Sequence, residues 1–200
     1  MGKRFPCPHG RNYINILLSG ASGCGATSLM ESFISTCDDV LIHRELNSET
    51  TACQFRFFMD NHLYILRTCD ISDNTMALPV NLPVPELDYF ADVVIYLYSI
   101  DDPDSLIYLM ELLEEDAGEL PCVLVGNKVD LRRTWEIFDR SNEGIDKFVS
   151  FMEAAAFAEE YNISWLVECS AKTGQSIQDV LTAAVSSYLG KKGKRKMIRD

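Results

Sequence analysis

The feature that most constrains this chain is an apolar run that ends abruptly at a glycine. Ile14-Asn15-Ile16-Leu17-Leu18 leads into Ser19-Gly20, and Gly20, Gly23 and Gly25 then fall within six positions. Leu29, Met30, Phe33 and Ile34 follow at helical spacing. A buried strand, a tight glycine turn and a helix N-terminus make backbone N–H groups converge on an anion, above all a phosphate. The spacing G-x-x-x-x-G-K-[S/T] fits at Gly20, Gly25 and Thr27, but Ala26 stands where the lysine belongs. Backbone N–H groups bind phosphate whatever side chains they carry. The stretch Gly20-Ala21-Ser22-Gly23-Cys24-Gly25-Ala26-Thr27-Ser28 is therefore a candidate phosphate cradle without a point charge for the outer phosphates. An ordinary strand-to-helix turn is the competing reading.

The hydrophobic fraction, 47% over 200 residues, suits one globular domain with a full core. Charge is unevenly spread. The chain nets −12, yet Lys191, Lys192, Lys194, Arg195, Lys196 and Arg199 crowd the last ten residues beside Asp200. Taking those six cations and one acid from 18 and 30 leaves 12 basic against 29 acidic residues, a body near −17. Such a body argues against nucleic acid as a partner. The basic tail on it reads either as a weak contact for anionic lipid or an acidic partner, or as a solvated end. Seven cysteines are scattered, with Cys53, Cys122 and Cys169 inside apolar runs. They are expected to be reduced thiols of a cytoplasmic protein, peripheral at most to a membrane. His9, His43 and His62 are isolated, which disfavours a metal or triad role. No signal peptide or membrane-length apolar run is evident, and Pro6 spoils a myristoylation signal at Gly2.

Taken in order, residues 1–12 read as an arm and Tyr13–Ser19 as the first strand, followed by a helix to about Thr36. Residues 37–50 lack periodicity and read as a polar loop. Cys53, Phe55, Phe57 and Met59 alternate with Gln54, Arg56 and Phe58, and Asp60-Asn61 turns the chain back into Leu63–Thr68, a hairpin. Val93–Tyr98 and Cys122–Val125 are continuous apolar runs, expected as strands covered on both faces. Asp102-Pro103 opens a helix. A polar segment follows Leu131, then a helix from about Lys147 to Tyr161, a last strand Trp165–Cys169, and a final helix with Ser176 as its cap. Alternating strands and helices predict an α/β, doubly wound, mainly parallel six-stranded sheet with one antiparallel hairpin strand.

Three turns then stand at the carboxyl ends of parallel strands, where such sheets bind ligands. Beside the loop at Gly20 there is Asn127-Lys128-Val129-Asp130. Its carboxylate, Asp130, is able to accept two N–H donors, the edge that guanine presents and adenine does not. Asn127 can tie neighbouring loops together, and the Lys128 stem can cover a base face. Ser170-Ala171-Lys172 adds a backbone N–H for a guanine carbonyl oxygen.

On these motifs the sequence resembles the Ras superfamily of small GTPases from Tyr13 to Leu189, and is most similar to the Rho branch. Ser99-Ile100-Asp101-Asp102-Pro103-Asp104-Ser105-Leu106 and Glu168-Cys169-Ser170-Ala171-Lys172-Thr173 carry the Rho likeness. The resemblance implies a P-loop NTPase-like G domain over 13–189, with residues 134–147 as an insert-like segment and 190–200 as a basic tail. It implies GTP or GDP bound through Gly20–Ser28, Asn127, Lys128, Asp130, Ser170, Ala171 and Lys172. Thr27 is the hydroxyl it would place on Mg²⁺, and effector or regulator proteins are the implied partners.

The departures matter as much. Aligning Leu63-Tyr64-Ile65-Leu66 with the family's strand puts Arg67, Asp70 and Ile71 where the metal-side aspartate, the glycine and the glutamine of Asp-x-x-Gly-Gln belong. Thr50 and Thr51 are the candidates for the switch threonine, and Met197-Ile198-Arg199-Asp200 is no prenylation box. No residue is therefore assigned a catalytic role. The expectation is an atypical GTP-binding protein with intact base recognition, impaired hydrolysis and doubtful Mg²⁺, acting in signalling or scaffolding. A working GTPase with relocated chemistry and a nucleotide-free interaction module are the alternatives.

Overall fold

The computed structural model describes residues 13–44, 51–70, 91–115, 120–138, 148–190 and 196–198. Among them a single sheet runs in the order β2-β3-β4-β1-β5-β6-β7-β8. The strands are β1 Ile14–Gly20, β2 Asp38–Arg44, β3 Thr51–Met59, β4 His62–Asp70, β5 Val93–Ser99, β6 Cys122–Asn127, β7 Trp165–Glu168 and β8 Lys196–Ile198. The helices are α1 Ala26–Thr36, α2 Pro103–Glu115, α3 Val129–Phe138, α4 Phe151–Glu160 and α5 Ile177–Tyr188. β3 runs antiparallel to both its neighbours, and every other pairing is parallel.

The apolar pattern explains this layering. In β1, Ile14, Ile16 and Leu18 point to one face, where they meet Leu29, Met30 and Phe33 of α1 and Val180, Leu181 and Ala184 of α5. Leu17 points to the other face and joins Tyr96, Tyr98, Leu109 of α2 and Ala154, Phe157 and Ala158 of α4. A strand sandwiched in this way must be apolar on both sides, as β5 is, with all seven residues buried. The hairpin turn falls at Asp60-Asn61, both at positive φ (50° and 61°), which suits a two-residue connection. Ser150 and Glu153 cap α4 reciprocally, and that cap moves the helix start from the expected Lys147 to Phe151.

Four expectations are corrected. The stretch after α1 holds strand β2 from Asp38 to Arg44, paired with β3, so the polar-loop expectation fails over 38–44; 45–50 lie outside the described residues. Periodicity could not show it, because a sheet-edge strand need bury neither face. The polar segment after Leu131 opens as helix, since α3 runs to Phe138; 139–147 lie outside the described residues. Ser176 occupies the N-cap of α5 but at φ 56° and without a side-chain cap bond. Finally, the basic tail contributes β8, which pairs parallel with β7; with β2 it raises the six expected strands to eight.

Candidate functional site

The loop after β1 is built by its backbone. Cys24 N–H donates to the Ala21 carbonyl (3.2 Å), and Leu29 N–H to the Gly25 carbonyl (2.9 Å), starting α1. Gly25 caps α1 at φ 92° with no side-chain cap bond. The first N–H groups of the helix are thus not satisfied by a capping side chain, and they carry the positive end of its dipole. Gly25 is also required by a neighbour: a Cβ there would lie 2.5 Å from Nδ2 of Asn127. Gly20 is held as tightly, since its Cβ would lie 2.2 Å from the Leu97 carbonyl oxygen.

Asn127, 2% exposed at the end of β6, joins the three turns. Its Nδ2 donates to the Cys24 carbonyl (3.0 Å), and its Oδ1 accepts from Ala171 N–H (3.0 Å). The tie expected between loops is therefore present. The Ala171 N–H expected for a base carbonyl is instead committed to Asn127. Val129 N–H to the Cys169 carbonyl (3.0 Å) and Cys169 N–H to the Gly126 carbonyl (2.8 Å) bind the second and third turns to each other.

Asp130 opens α3 with its side chain facing the same cleft. Oδ1 accepts from Ser170 Oγ (2.7 Å), which orients the carboxylate. Oδ2 faces Lys172 Nζ at 3.8 Å, but that lysine is 80% exposed. So exposed a pair contributes little, and a ligand with two N–H donors can displace it. Lys128, at φ 69°, extends to Asp101 (3.3 Å). Burial pushes the Asp101 carboxyl up, but the Ser99 hydroxyl and Lys128 outweigh it and hold it below the usual aspartate value. Behind these turns Arg132 grips Glu168 with two N–H donors (2.7 and 2.9 Å) and the Val149 carbonyl with a third contact (2.7 Å).

A cleft of about 610 Å³ lies between α1 and the turns that carry Asn127–Asp130 and Ala171–Lys172. Its size suits a small-molecule ligand. Gly25, Ser28, Asn127, Lys128, Asp130, Ala171 and Lys172 line it, as expected from the motifs. Ser170 does not line it but bonds to Asp130, and Gly20, Ala21, Ser22, Gly23, Cys24, Ala26 and Thr27 do not line it either. Glu31, Ser32, Ser35 and Leu131 are lining residues the motifs did not name. A signal was available for three of them: Ser28, Glu31, Ser32 and Ser35 recur at the helical period as a polar stripe beside the apolar one. Ser32 Oγ donates to the Ala171 carbonyl, fastening α1 to the third turn. The cations on this cleft, Lys128 and Lys172, both stand on the turns after β6 and β7; Gly20–Ser28 contain none.

The strand register corrects the expected place of Arg67. It pairs with Asn15 of β1, five residues before Gly20, or about 17 Å at strand rise. Its guanidinium stacks 3.5 Å from the centroid of Tyr13, and Nε donates to Gln54 Oε1 (2.8 Å). Arg67 is therefore turned to Tyr13 and Gln54 and does not reach the glycine loop. The residue that comes abreast of the end of β1 is Asp70 itself, opposite Leu18. The alignment read from sequence was three residues early. Counted from Asp70, the pattern Asp-x-x-Gly-Gln meets Asp73 and Asn74.

With this geometry in place, the comparisons with known proteins are direct. A family model described as the Ras family matches residues 87–189, half of the chain. The chain belongs to the Ras family. This Ras-family chain is 36% identical over 115 residues to GTP-binding protein RHO1 of Eremothecium gossypii, covering 55% of this chain and 56% of that protein. It is 35% identical over 107 residues to GTP-binding protein RHO1 of Saccharomyces cerevisiae, covering 50% and 51%. A longer match, 26% identical over 187 residues, covers 88% of this chain but 26% of the probable mitochondrial Rho GTPase gemA of Dictyostelium discoideum. The chain thus spans about half the length of the RHO1 relatives it matches. These likenesses relate it to the Rho branch. Among the described residues no helix is long and apolar enough to cross a membrane.

Proposed function

We propose that this Ras-family chain binds guanine nucleotide and serves as a signalling or scaffolding module for effector or regulator proteins, with weakened phosphate binding and impaired hydrolysis. The observation that carries the reading is the Asp130 carboxylate, oriented by Ser170 and open to displacement of Lys172, on a cleft that Asn127 joins to the glycine loop. Two aligned acceptor oxygens fit the paired N–H donors of guanine. Because Ala171 N–H bonds to Asn127, the guanine carbonyl must share that donor or use another.

Phosphoryl transfer is catalysed by positioning and charge neutralisation. Ala26 removes one cation from that set. A charge-assisted contact contributes roughly 1.5–3 kcal/mol, so its loss weakens binding about 10- to 100-fold. Thr27, in the first turn of α1, and Asp70, whose backbone comes abreast of Leu18 at the end of β4, are the residues that would hold a phosphate-bound Mg²⁺. When bound, such an ion neutralises phosphate charge. The place of Asp70 favours a second reading, a slow but working GTPase with Asn74 in the position of the water-orienting glutamine.

The test is the nucleotide that co-purifies with the protein, followed by affinities for GDP, GTP and ATP and by multiple-turnover hydrolysis. Guanine-selective binding with negligible turnover is the expected result, and Asp130→Asn should shift preference toward xanthine nucleotides. Equal affinity for ATP would overturn the reading, and sustained turnover would establish the second one.

A further inference from the structure

The motifs account for one wall of the cleft and leave the other unexplained. Asn127, Lys128, Asp130, Ala171 and Lys172 come from the turns after β6 and β7, whereas Ser28, Glu31, Ser32 and Ser35 come from α1. At about 1.5 Å per residue, this stripe runs roughly 10 Å along the helix, away from Gly25 at its N-cap. Two of its hydroxyls are committed. Ser32 Oγ donates to the Ala171 carbonyl, and Ser35 Oγ donates to the Ser32 carbonyl (2.9 Å). Glu31 is different: it is exposed, and among the described residues it has neither a hydrogen-bond nor an ion-pair partner. The cations of the cleft are engaged elsewhere, Lys128 with Asp101 at 3.3 Å and Lys172 with Asp130 at 3.8 Å. A carboxylate in that position repels an anionic ligand unless the ligand brings donors to it.

We propose that Glu31 reads the sugar of the bound nucleotide, accepting hydrogen bonds from the vicinal ribose hydroxyls, so that the cleft prefers ribonucleotides to their deoxy forms. The proposal rests on the guanine reading of Asp130 given above. With the base against Asp130 on one wall and the phosphates toward Gly25, the sugar lies between them and along α1. Its two hydroxyls are donors on neighbouring carbons, and the two oxygens of one carboxylate accept from both. Acidic side chains read ribose hydroxyls in the same way in dinucleotide-binding sheets. The neighbouring residue holds Glu31 in place, because the bond from Ser32 to the Ala171 carbonyl fastens this turn of α1 beside the base-side wall. Ser28 stands one turn nearer Gly25, on the phosphate side of Glu31.

The experiment titrates the full chain with GDP, with dideoxy-GDP, which lacks both sugar hydroxyls, and with ADP. Wild type should bind GDP about tenfold more tightly than dideoxy-GDP, the effect of hydrogen bonds to a charged acceptor. Glu31→Ala should bring that ratio close to one, and Glu31→Gln, which keeps one acceptor oxygen, should leave it in between. Any repulsion of the phosphates by Glu31 acts on both ligands alike, so the ratio isolates the sugar. Glu31 is exposed and alanine favours helix, so the variant keeps its fold, which circular dichroism checks. Equal affinity of wild type for GDP and dideoxy-GDP, or a ratio unchanged in Glu31→Ala, would overturn the role of Glu31 and leave the base reading standing. Equal affinity for ADP and GDP would overturn the base reading, and a ratio that still depends on Glu31 would then uphold the sugar contact by itself. Binding of none of the three would overturn both.

Discussion

Arg132 and Glu168 form a two-pronged ion pair that fastens the first turn of α3 to the end of β7. Asp130 lies two residues before the arginine and Ser170 two residues after the glutamate, so the pair fixes the spacing of the two residues joined by the Ser170–Asp130 hydrogen bond. Glu168 is 5% exposed, and no charge that deep is tolerated alone. Arg132→Met should cost about 3–5 kcal/mol in urea unfolding. Adding Glu168→Leu should restore most of that stability, because two apolar side chains need no partners. If the double variant is as unstable as the single one, the cost lies in packing rather than charge.

Gly25→Ala should be the most damaging small change in the glycine loop. The left-handed φ costs an alanine roughly 1–2 kcal/mol, and the added methyl displaces the Asn127 amide that holds the loop to β6. The expected outcome is loss of nucleotide retention through gel filtration with the fold intact by circular dichroism. Gly23→Ala meets no atom within 4 Å and bears the φ cost alone, so it should retain more.

Arg67 and Asp70 should separate cleanly. Arg67→Ala removes a cation–π contact and a hydrogen bond to Gln54, far from the phosphates. A loss of about 1–2 kcal/mol in stability with unchanged GDP affinity is expected. Asp70→Asn should instead reduce the Mg²⁺ dependence of GDP binding, measured by titration with and without chelator. A fall in GDP affinity for Arg67→Ala at unchanged stability would return the arginine to the site.

The cap of α4 gives a pH dependence of known sign. The Ser150 side chain and backbone hold the Glu153 carboxyl below its usual value, against a small opposing effect of burial. A group lowered in the folded state contributes stability above its unfolded value, near 4.5, and loses it as pH falls through the folded one. The gap in Tm between wild type and Glu153→Ala should thus be widest above pH 5 and shrink toward pH 3. A gap that is constant across this range would show that the cap acts without the charge.

The sequence by itself determined the elements that repeat a pattern. The apolar runs of β1, β5 and β6, the alternation of β3 and the glycine spacing at Gly20–Gly25 each encode a local preference strong enough to survive folding. The residues gathered at the cleft were legible because Asn127, Asp130 and Ser170-Ala171-Lys172 sit at strand ends, and a parallel sheet brings strand ends together. Tertiary structure decided what depends on register and on long-range partners. Arg67 and Asp70 are three residues apart on one strand, and only the pairing of β4 with β1 shows which comes abreast of the loop. Ser28, Glu31 and Ser35 of the polar stripe of α1 are exposed, and only the bond from buried Ser32 to the Ala171 carbonyl, 139 residues away, shows that this stripe borders the cleft. β2 and β8 lie at the two edges of the sheet, and an edge strand buries too little to write a period into its residues. Local sequence carries the energy of a residue's own helix or strand, whereas register and edge pairing are set by backbone hydrogen bonds that are nearly blind to side-chain identity.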